Sequence, residues 1–244
     1  MNIIINGASG RMGRIVDALI QRGGEHTVAA RVDWSNAASG GLSALSEYDG
    51  PADVVIDFSN HTATAQVTGY CVERKLPVVI ATTGQTQEEM DMIHRAAGSV
   101  PVFLSANMSI GVALMCELAK KAAAVFPQAE IEIIERHHDQ KLDVPSGTAL
   151  LLARRIQEVR PEAELVVGRH ENGKRTRDEI GIHSLRYGNE VGTHEIIIAA
   201  GSETITLKHE AENRALFAEG ALAAARFLIG RAPGICDMRS ILQD

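Results

Sequence analysis

The sequence predicts an α/β fold in two parts: a Rossmann-type doubly wound parallel sheet, and an α+β domain with a mixed sheet. Over the first hundred residues, short β-branched runs of nearly continuous apolar character alternate with segments of helical periodicity. Continuous apolar runs are typical of parallel strands buried on both faces, and strand–helix–strand succession indicates a doubly wound sheet. After about Ser109 the strands alternate apolar and polar residues and are joined by glycine turns. We therefore expect one domain over residues 1–108 and 214–244 and a second over residues 109–213.

The elements of the first domain follow from these patterns in order. Strands are predicted at residues 2–6, 26–33, 53–58, 77–82 and 101–106. Helices are predicted between them at residues 14–22, 64–74 and 87–97. Thr86 and Glu89 have the spacing of a capping box, which marks the start of the last helix.

The second domain combines helices with alternating strands. Helices are predicted at residues 110–125 and 148–158, and strands at 129–135, 180–187, 193–200 and 203–211. The Gly-Ser-Glu segment at 201–203 predicts a tight hairpin between the last two strands. A final helix over 215–229 is predicted to stop at Gly230, which suits a C-terminal cap.

Composition and charge exclude several classes of function. Aromatic residues make up 4% of the chain and the formal net charge is -7, so base-stacking platforms and nucleic-acid partners are not expected. The most apolar long stretch, residues 110–126, is interrupted by Glu117, Lys120 and Lys121, so no membrane span is predicted. The N-terminus lacks the pattern of a secretory signal and the three cysteines form no CxxC pair. We therefore expect a cytoplasmic protein with reduced thiols.

A glycine-rich turn follows the first predicted strand and opens the first helix. The segment GASGRMGR has glycines at positions 7, 10 and 13. In this motif the glycines permit a tight turn, approach of a pyrophosphate to the backbone, and close helix packing. Asp33 ends the second predicted strand, where an acid accepts hydrogen bonds from the adenosine ribose. Glycines alone are explained equally by an ordinary turn, but strand, glycines, helix, strand and acid in this order favour dinucleotide binding.

The residue after the acid bears on the choice of coenzyme. A basic side chain there often holds the 2′-phosphate of NADPH, whereas this sequence has Trp34. The sequence therefore favours NADH, with Arg11 and Arg14 left as alternative partners for a phosphate.

Two further turns lie at the carboxyl ends of predicted strands. Residues 81–84 (ATTG) and 105–109 (SANMS) fall at the edge where open α/β sheets bind ligands. Each is explained about equally well as a polar turn, and the glycine motif tips the interpretation toward ligand binding.

The segment ERHHDQKLDVPSGTAL, residues 135–150, gathers two histidines, a lysine and a helix start. A zinc site is not predicted, because side chains of adjacent His137 and His138 diverge and no cysteine or third histidine lies at ligand spacing. Ser146 follows a proline at a helix start, so it is better explained as an N-cap than as the nucleophile of a Ser-His-Asp triad.

Capture of an acidic substrate explains more residues of this segment. Histidines titrate near physiological pH, Lys141 is a cation, and the backbone N–H groups of a helix N-terminus attract anions. Gly147 permits close approach. A single histidine is more often an ordinary surface or core residue, but the whole cluster predicts a site for a small substrate with carboxylates.

These motifs resemble those of the 4-hydroxy-tetrahydrodipicolinate reductase (dihydrodipicolinate reductase) family. ERHHDQKLDVPSGTA is similar to the family signature, and GASGRMGR, ATTG, SANMSIGV, VGTHEI and FAEGALAAARFLIG resemble its other motifs in the same order. The sequence departs from the family pattern at Val144, Asp139, Gln140, Ala81 and Trp34. Only the last departure bears on a functional expectation, the coenzyme.

The resemblance implies reduction of a cyclic dicarboxylic imine derivative, 4-hydroxy-tetrahydrodipicolinate, to tetrahydrodipicolinate with NADH or NADPH in lysine and diaminopimelate biosynthesis. It implies a dinucleotide-binding first domain, a substrate-binding second domain that also forms a homotetramer, and a hinge that closes the two. His137 would be the proton donor or acceptor and Lys141 the second proton donor, with no metal. The other implied positions are His138, Ser146, Gly147 and Thr148 for the substrate, and Gly7, Ala8, Ser9, Gly10, Arg11, Met12, Asp33, Ala81, Thr82, Thr83, Ser105, Ala106, Asn107 and Met108 for the cofactor.

Two other functions fit parts of the sequence. A semialdehyde or homoserine dehydrogenase shares the Rossmann pattern, but a semialdehyde dehydrogenase needs a nucleophilic cysteine, and all three cysteines lie in apolar or terminal contexts. A nucleotide-sensing protein without catalysis is the second alternative, and the charged loop argues against it.

Overall fold

The computed structural model describes residues 1–35 and 41–243, and the chain folds as two units. The first unit is Met1–Ile110 with Arg214–Asp244, and the second is Gly111–Asn213. In chain order the strands are β1 Asn2–Asn6, β2 Thr27–Val32, β3 Val54–Asp57, β4 Val78–Ile80, β5 Pro101–Leu104, β6 Glu130–His137, β7 Glu164–Val167, β8 Glu179–Arg186, β9 Thr193–Ala200, β10 Glu203–Glu210 and β11 Gly234–Cys236. The helices are α1 Arg11–Gly23, α2 Thr64–Arg74, α3 Gln87–Ala97, α4 Ile110–Val125, α5 Gly147–Gln157, α6 Ala215–Leu228 and α7 Met238–Leu242.

The first unit is built on a six-stranded sheet with the order β11-β5-β4-β3-β1-β2. Every neighbouring pair in this sheet is parallel. Central strands such as β1 and β3 are buried over nearly their whole length, because parallel strands with helices on both faces have no solvent side. The polar ends of β1, β3 and β4 are therefore brought to one edge of the sheet.

The second unit is built on a five-stranded mixed sheet with the order β10-β9-β6-β8-β7. β6 pairs antiparallel with β9 and parallel with β8. Inward-facing isoleucines of β6, β8 and β9 pack with side chains of α4 and α5 in one apolar core. Along β6 the inward face carries Ile131, Ile133, Glu135 and His137, so two polar side chains continue the buried register at the end of this strand.

The predicted fold class, with a Rossmann-like parallel sheet and a second mixed sheet, is confirmed. The Thr86–Glu89 capping box of α3 is present, and a two-residue turn at Gly201 and Ser202 joins β9 to β10. The prediction for the end of α6 was wrong by one residue: Ile229 is the C-cap, with extended backbone, and Gly230 follows with a positive φ. Five short elements were not predicted: β7, β11, α7 and the 3₁₀ turns Leu45–Glu47 and His61–Ala63.

None of the helices in the described ranges combines the length and the apolar character needed to cross a membrane.

Candidate active site

The glycine-rich turn of the first unit leaves no room for side chains. Gly7 has a φ of 81°, and a Cβ added there would lie 2.6 Å from the Phe58 carbonyl oxygen. A Cβ at Gly13 would lie 2.7 Å from the Ala8 Cα, so this glycine lets α1 pack against the turn. Gly10 is the N-cap of α1 without a side-chain cap of its own. The backbone of this helix start is therefore accessible for an anion, as the motif predicts.

Asp33 directly follows β2 and lies beside the same glycine turn. Its carboxylate accepts a hydrogen bond from the Ser9 backbone N–H at 3.1 Å and from the Ser35 hydroxyl at 2.6 Å. Burial raises the pKa of Asp33, but these hydrogen bonds and the nearby charge of Arg14 outweigh it and lower that pKa overall. Asp33 thus offers an ionised acceptor beside the glycine turn.

A cleft of about 750 Å³ lies between the glycine turn and the segment that follows β3. Its lining residues are Asn6, Gly7, Gly10, Asp33, Trp34, Ser43, Phe58, Ser59, Asn60, Thr62, Ala63 and Gln66. The segment after β3 was missed by sequence reasoning, although the rule that ligands bind at the carboxyl ends of parallel strands indicates it. Trp34 is 85% exposed at this cleft.

The other predicted cofactor residues divide into buried and exposed ones. Arg11 and Thr83 are exposed and Met12 is half-buried, whereas Ala8, Ala81 and Met108 are buried. The Ser105 hydroxyl donates to the Asn107 carbonyl at 2.7 Å, and Ala106 between them is exposed. The turn after β5 is thus held by its own side chains, with its backbone at the binding edge.

Buried Asp57 ties three strand ends of this edge together. It accepts hydrogen bonds from Asn6 Nδ2 at 2.8 Å, from the Ser59 hydroxyl at 2.5 Å and from the Thr82 hydroxyl at 2.7 Å. Burial raises the pKa of Asp57 despite these donors. Thr82, predicted as a cofactor residue, therefore has its hydroxyl committed to this network.

In the second unit, the ends of β6, β8 and β9 bring together a compact polar cluster. Glu135 lies opposite His194 of β9, and His137 lies opposite Arg186 of β8. Glu135 accepts from His137 Nδ1 at 2.6 Å and from both terminal nitrogens of Arg186, at 2.8 and 2.7 Å. Burial raises the pKa of Glu135, but the hydrogen bonds from His137 and Arg186 outweigh it and hold that pKa far below its ordinary value.

His194 is a second buried histidine in this cluster. Its ring centroid lies 5.2 Å from that of His137, in an edge-to-face arrangement. Burial and then the charge of His137 lower its pKa to about 3, against the opposing effect of Glu135. His194 is therefore neutral at physiological pH, and Lys141 is among the charges that act on it.

The start of α5 joins the same cluster. Ser146 is the N-cap, as predicted: its hydroxyl accepts from the Ala149 N–H at 3.2 Å. That hydroxyl also lies 3.0 Å from His194 Nε2, and the Ser146 backbone N–H donates to Glu135 at 3.1 Å. The Ser146 N–H is thus taken up within the protein, so it is not one of the helix-start N–H groups left for an anion.

Gly147 and Thr148, the next residues of α5, are more exposed than Ser146. Gly147 is exposed, and a Cβ added there would meet no atom within 4 Å. Packing within the chain therefore does not require a glycine at this position, whereas close approach of a ligand to the backbone does. Thr148 is half-buried in the first turn.

The loop between β6 and α5 carries the predicted cations. Lys141 Nζ lies 2.8 Å from Asp143 Oδ1, and the side chain of Lys141 is 21% exposed. The backbone N–H of His138 donates to the Glu190 carbonyl at 2.7 Å, and its side chain is half-buried. The structure thus gathers His137, Lys141 and the α5 start around one cluster, with Glu135, Arg186 and His194 as members that the sequence analysis did not assign.

Two of the three cysteines, Cys71 and Cys116, are buried. Burial raises the pKa of Cys71 above its ordinary value and that of Cys116 to about 11, so both are held as thiols. Within residues 1–35 and 41–243, no three His, Cys, Asp or Glu side chains are grouped so that they could hold a metal ion.

Comparison with known proteins gives full-length matches. The family model "Dihydrodipicolinate reductase, N-terminus" matches residues 1–108, and "Dihydrodipicolinate reductase, C-terminus" matches residues 111–242. The chain is 43% identical to 4-hydroxy-tetrahydrodipicolinate reductase of Caldanaerobacter subterraneus subsp. tengcongensis, covering 100% of this chain and 98% of the relative. It is 40% identical to the Clostridium tetani enzyme of the same name, covering 99% and 97%.

A solved structure also resembles the whole chain. It is dihydrodipicolinate reductase from Paenisporosarcina sp. TG-14 with dipicolinate bound, with a TM-score of 0.79, 28% sequence identity, and coverage of 97% of both chains.

Proposed function

The chain belongs to the dihydrodipicolinate reductase family, and from this premise we propose that it reduces 4-hydroxy-tetrahydrodipicolinate to tetrahydrodipicolinate with a reduced pyridine nucleotide. The reaction is a step of diaminopimelate and lysine biosynthesis. The observation that carries the proposal is the cluster in which Glu135 binds His137 and the α5 N-terminus, with Lys141 joined to it through Asp143 and Arg186. A neutral polar turn would not need a buried carboxylate that holds a histidine and a helix start together.

The residues of the first unit fit a dinucleotide. A side chain at Gly7 or Gly13 would fill the turn that receives a pyrophosphate, and the adjoining cleft of about 750 Å³ is lined by the Asp33 carboxylate. When bound, the reduced nicotinamide supplies the hydride. Residues 7–12, Asp33, 81–83 and 105–108 hold and orient the nucleotide, and we assign dinucleotide binding to residues 1–108 with 214–244.

The residues of the second unit fit a small dicarboxylate. The Gly147 and Thr148 backbone at the start of α5 and the cationic side chains of the loop attract carboxylates, since a helix N-terminus carries a partial positive charge. His138, Ser146, Gly147 and Thr148 bind substrate in this proposal, and residues 109–213 form the substrate domain. The Paenisporosarcina relative was solved with dipicolinate, itself a cyclic dicarboxylate.

His137 and Lys141 handle protons in this scheme. The net reaction replaces a hydroxyl group by hydrogen, so it consumes one hydride and one proton and releases water. His137 Nδ1 is held by Glu135, which leaves Nε2 to exchange a proton, and Lys141 Nζ is the second proton-bearing group. Both cations also stabilise electron density that grows on the ring as hydride arrives.

NADH is the preferred coenzyme in our proposal. Asp33 is ionised beside the glycine turn and repels a 2′-phosphate, and Trp34 stands at the cleft where a basic partner for that phosphate is expected. The charge of Arg14 acts on Asp33 and partly offsets this repulsion. The ratio of kcat/KM for NADH to that for NADPH measures the preference.

A homotetramer formed through the second unit, in the cytoplasm, is the assembly we propose. Leu185, Ile134 and Ile197 lie on the sheet face opposite the buried isoleucines, and Leu185 is 44% exposed. These apolar side chains lie among charged ones such as Arg136 and Glu195, and a mixed surface of this kind suits association with a second copy. Light scattering of the purified protein measures the mass, and a monomer at working concentration would contradict this assembly.

The activity is tested with substrate made in situ. Pyruvate and aspartate semialdehyde are incubated with the preceding synthase, the protein and NADH, and loss of the reduced nicotinamide absorbance is followed. Omission of the synthase is the control for oxidation of NADH by other routes. Absence of synthase-dependent oxidation with both NADH and NADPH would end the reductase proposal, whereas oxidation with aspartate semialdehyde alone would favour a semialdehyde reductase.

A further inference from the structure

Glu135 is fully buried beside the proposed proton donor, and each of its oxygens contacts a different part of the site. Oε2 accepts from His137 Nδ1 at 2.6 Å, and Oε1 accepts from the Ser146 backbone N–H at 3.1 Å. We propose that Glu135 is a positioning residue for the reaction, which holds His137 with a proton on Nδ1 and so makes Nε2 the atom that exchanges a proton with substrate. This inference rests on the proposed function.

The protonation states follow from the donors that surround the carboxylate. The hydrogen bonds from His137 and Arg186 overcome the effect of burial and hold the pKa of Glu135 far below its ordinary value. An ionised carboxylate only accepts hydrogen bonds, so the His137 Nδ1 that it contacts must carry a hydrogen. A carboxylate behind a histidine fixes the ring in this way in other acid–base sites.

Arg186 balances the charge behind the ring. Its Nη1 and Nη2 donate to the two Glu135 oxygens at 2.8 and 2.7 Å, and Nη2 also donates to the Asp143 carbonyl at 2.7 Å. The charged groups of this cluster include Glu135 on the strand of His137 and Arg186 of β8, with Lys141 of the loop joined through Asp143, while His194 of β9 is neutral. The carboxylate that contacts the ring and the guanidinium bonded to that carboxylate oppose each other in their effect on imidazolium formation.

Gly192 gives the other side of the ring its space. A Cβ added at Gly192 would lie 2.9 Å from His137 Nε2 and 3.2 Å from Cδ2. Because Nδ1 is fastened to Glu135 and the ring packs against His194, the ring has no free rotation with which to avoid such a Cβ. The lack of a side chain at Gly192 thus leaves the space that the Nε2 edge occupies, while the Glu135 carboxylate holds Nδ1.

Glu135→Gln is the decisive variant because its amide must choose an orientation. With the amide nitrogen toward Ser146, it would face two donors, the Ser146 N–H and Arg186 Nη2. With the nitrogen toward His137, the amide faces only one obligatory donor, Arg186 Nη1. The His137 ring can then keep its position and adopt the tautomer with hydrogen on Nε2, so that Nδ1 accepts from the amide. We therefore expect the His137 tautomer to switch in the variant.

The tautomer is read by nitrogen NMR of histidine-labelled protein, with the His137 signals assigned by difference from His137→Gln. We expect hydrogen on Nδ1 in the wild type and on Nε2 in Glu135→Gln at a pH where the ring is neutral. In steady-state assays we expect kcat to fall by about tenfold or more, with the KM for NADH within about twofold. An unchanged tautomer with unchanged kcat overturns the inference.

The pH profile separates positioning from a merely structural role. In the plot of kcat/KM against pH, we expect loss of the anion in Glu135→Gln to move the limb that reports His137 to lower pH. Loss of the cation in Arg186→Met is expected to move the same limb to higher pH. Arg186→Lys keeps the cation and is expected to keep the limb within a few tenths of a pH unit of the wild type. Shifts of both first variants in the same direction overturn the inference. If Arg186→Met does not fold by circular dichroism, a shift to lower pH in Glu135→Gln together with an unshifted limb in Arg186→Lys supports the inference, and equal shifts in these two variants overturn it.

A matched control is present in the same sheet. Glu132 Oε2 lies 2.8 Å from His183 Nε2, a contact of the same kind on the same strand β6, facing away from the cluster. Glu132→Gln is expected to change the His183 signals and to leave kcat within about twofold, with the mass checked by light scattering. Because the nitrogen spectra need no turnover, a wild-type protein without reductase activity would refute the proposed function and still leave the orientation of His137 by Glu135 measured.

Discussion

Replacement of Asp57 tests whether the buried network at the strand ends holds the nucleotide site together. Asp57 is 3% exposed and accepts from Asn6, Ser59 and Thr82. Asp57→Ala removes the carboxylate acceptor of Asn6 and Thr82, which keep one longer contact each, from Asn6 Nδ2 to the Ser59 hydroxyl at 3.1 Å and from the Thr82 hydroxyl to the residue 57 carbonyl at 3.4 Å. Since each lost hydrogen bond costs about 0.5–1.5 kcal/mol, we expect the free energy of unfolding to fall by about 1–3 kcal/mol.

Asp57→Asn separates the hydrogen bonds from the charge. The Asn oxygen still accepts from Asn6 and Ser59, and the Thr82 hydroxyl, which donates to the carboxylate in the wild type, can accept from the new amide nitrogen instead. The hydrogen-bond contribution is expected to change by less than about 1 kcal/mol. The difference from wild type is then mainly the titration of a buried carboxyl group.

The sign of the pH dependence follows from the raised pKa of Asp57, which burial causes. Stabilisation by its protonated form is complete below the unfolded pKa of about 3.9 and is lost as the pH rises through the folded-state pKa. The Asn variant has no such loss, and the other acidic groups titrate alike in both proteins. Stability of Asp57→Asn relative to wild type is therefore expected to increase as the pH rises from about 4 to about 7.

Urea unfolding at a series of pH values, followed by circular dichroism, measures both effects. KM for NADH in Asp57→Ala is expected to rise, because the Phe58 carbonyl beside Gly7 directly follows the network. A free energy of unfolding of Asp57→Asn, taken relative to wild type, that stays constant or falls as the pH rises would refute the reasoning.

Three further predictions concern the two binding regions. Lys141→Ala is expected to lower kcat by about a hundredfold or more with NADH affinity by calorimetry nearly unchanged, because the lysine lies on the substrate side; lost NADH binding would contradict this. Asp33→Ala is expected to weaken NADH more than NADPH in calorimetry, and equal weakening would count against a ribose contact. Gly13→Ala is expected to lower the free energy of unfolding in urea by about 1–3 kcal/mol and to weaken NADH binding, because its Cβ meets the Ala8 Cα. The control Gly23→Ala in the same helix meets nothing within 4 Å and is expected to keep NADH binding. Equal effects of the two variants would refute the packing argument.

Most elements were predictable because their apolar pattern is set by burial. Strands β1 and β3 are buried along nearly their full length, and α2, α3 and α4 have the predicted bounds. The missed strands β7 and β11 are three or four residues long, lie at sheet edges and are only partly buried. A short edge strand has too few inward positions to produce a periodic apolar signal.

The site was predictable where it is local in sequence and was missed where it depends on pairing between strands. The loop from His137 to Ser146 stands in one segment, whereas Glu135 meets Arg186 across 51 residues. Period-two reading of β6 would have found Glu135, because it shares the inward face with Ile133 and His137. Arg186 and His194 had no such signal, since strand order and register decide which side chains face His137.

A buried carboxylate is at first sight unsuited to a site that captures a dicarboxylate. At an effective dielectric constant of about 20, two like charges 4 Å apart repel by about 4 kcal/mol. The bidentate contact with Arg186 offsets most of the field of Glu135 at longer range. At His137 Nδ1, which Glu135 contacts directly, the carboxylate has its strongest effect. In the proposed site, the positive potential toward substrate then comes from Lys141 and the α5 N-terminus. In the proposed reaction the Glu135–Arg186 pair keeps its charges, and the changes of charge are confined to His137 and Lys141.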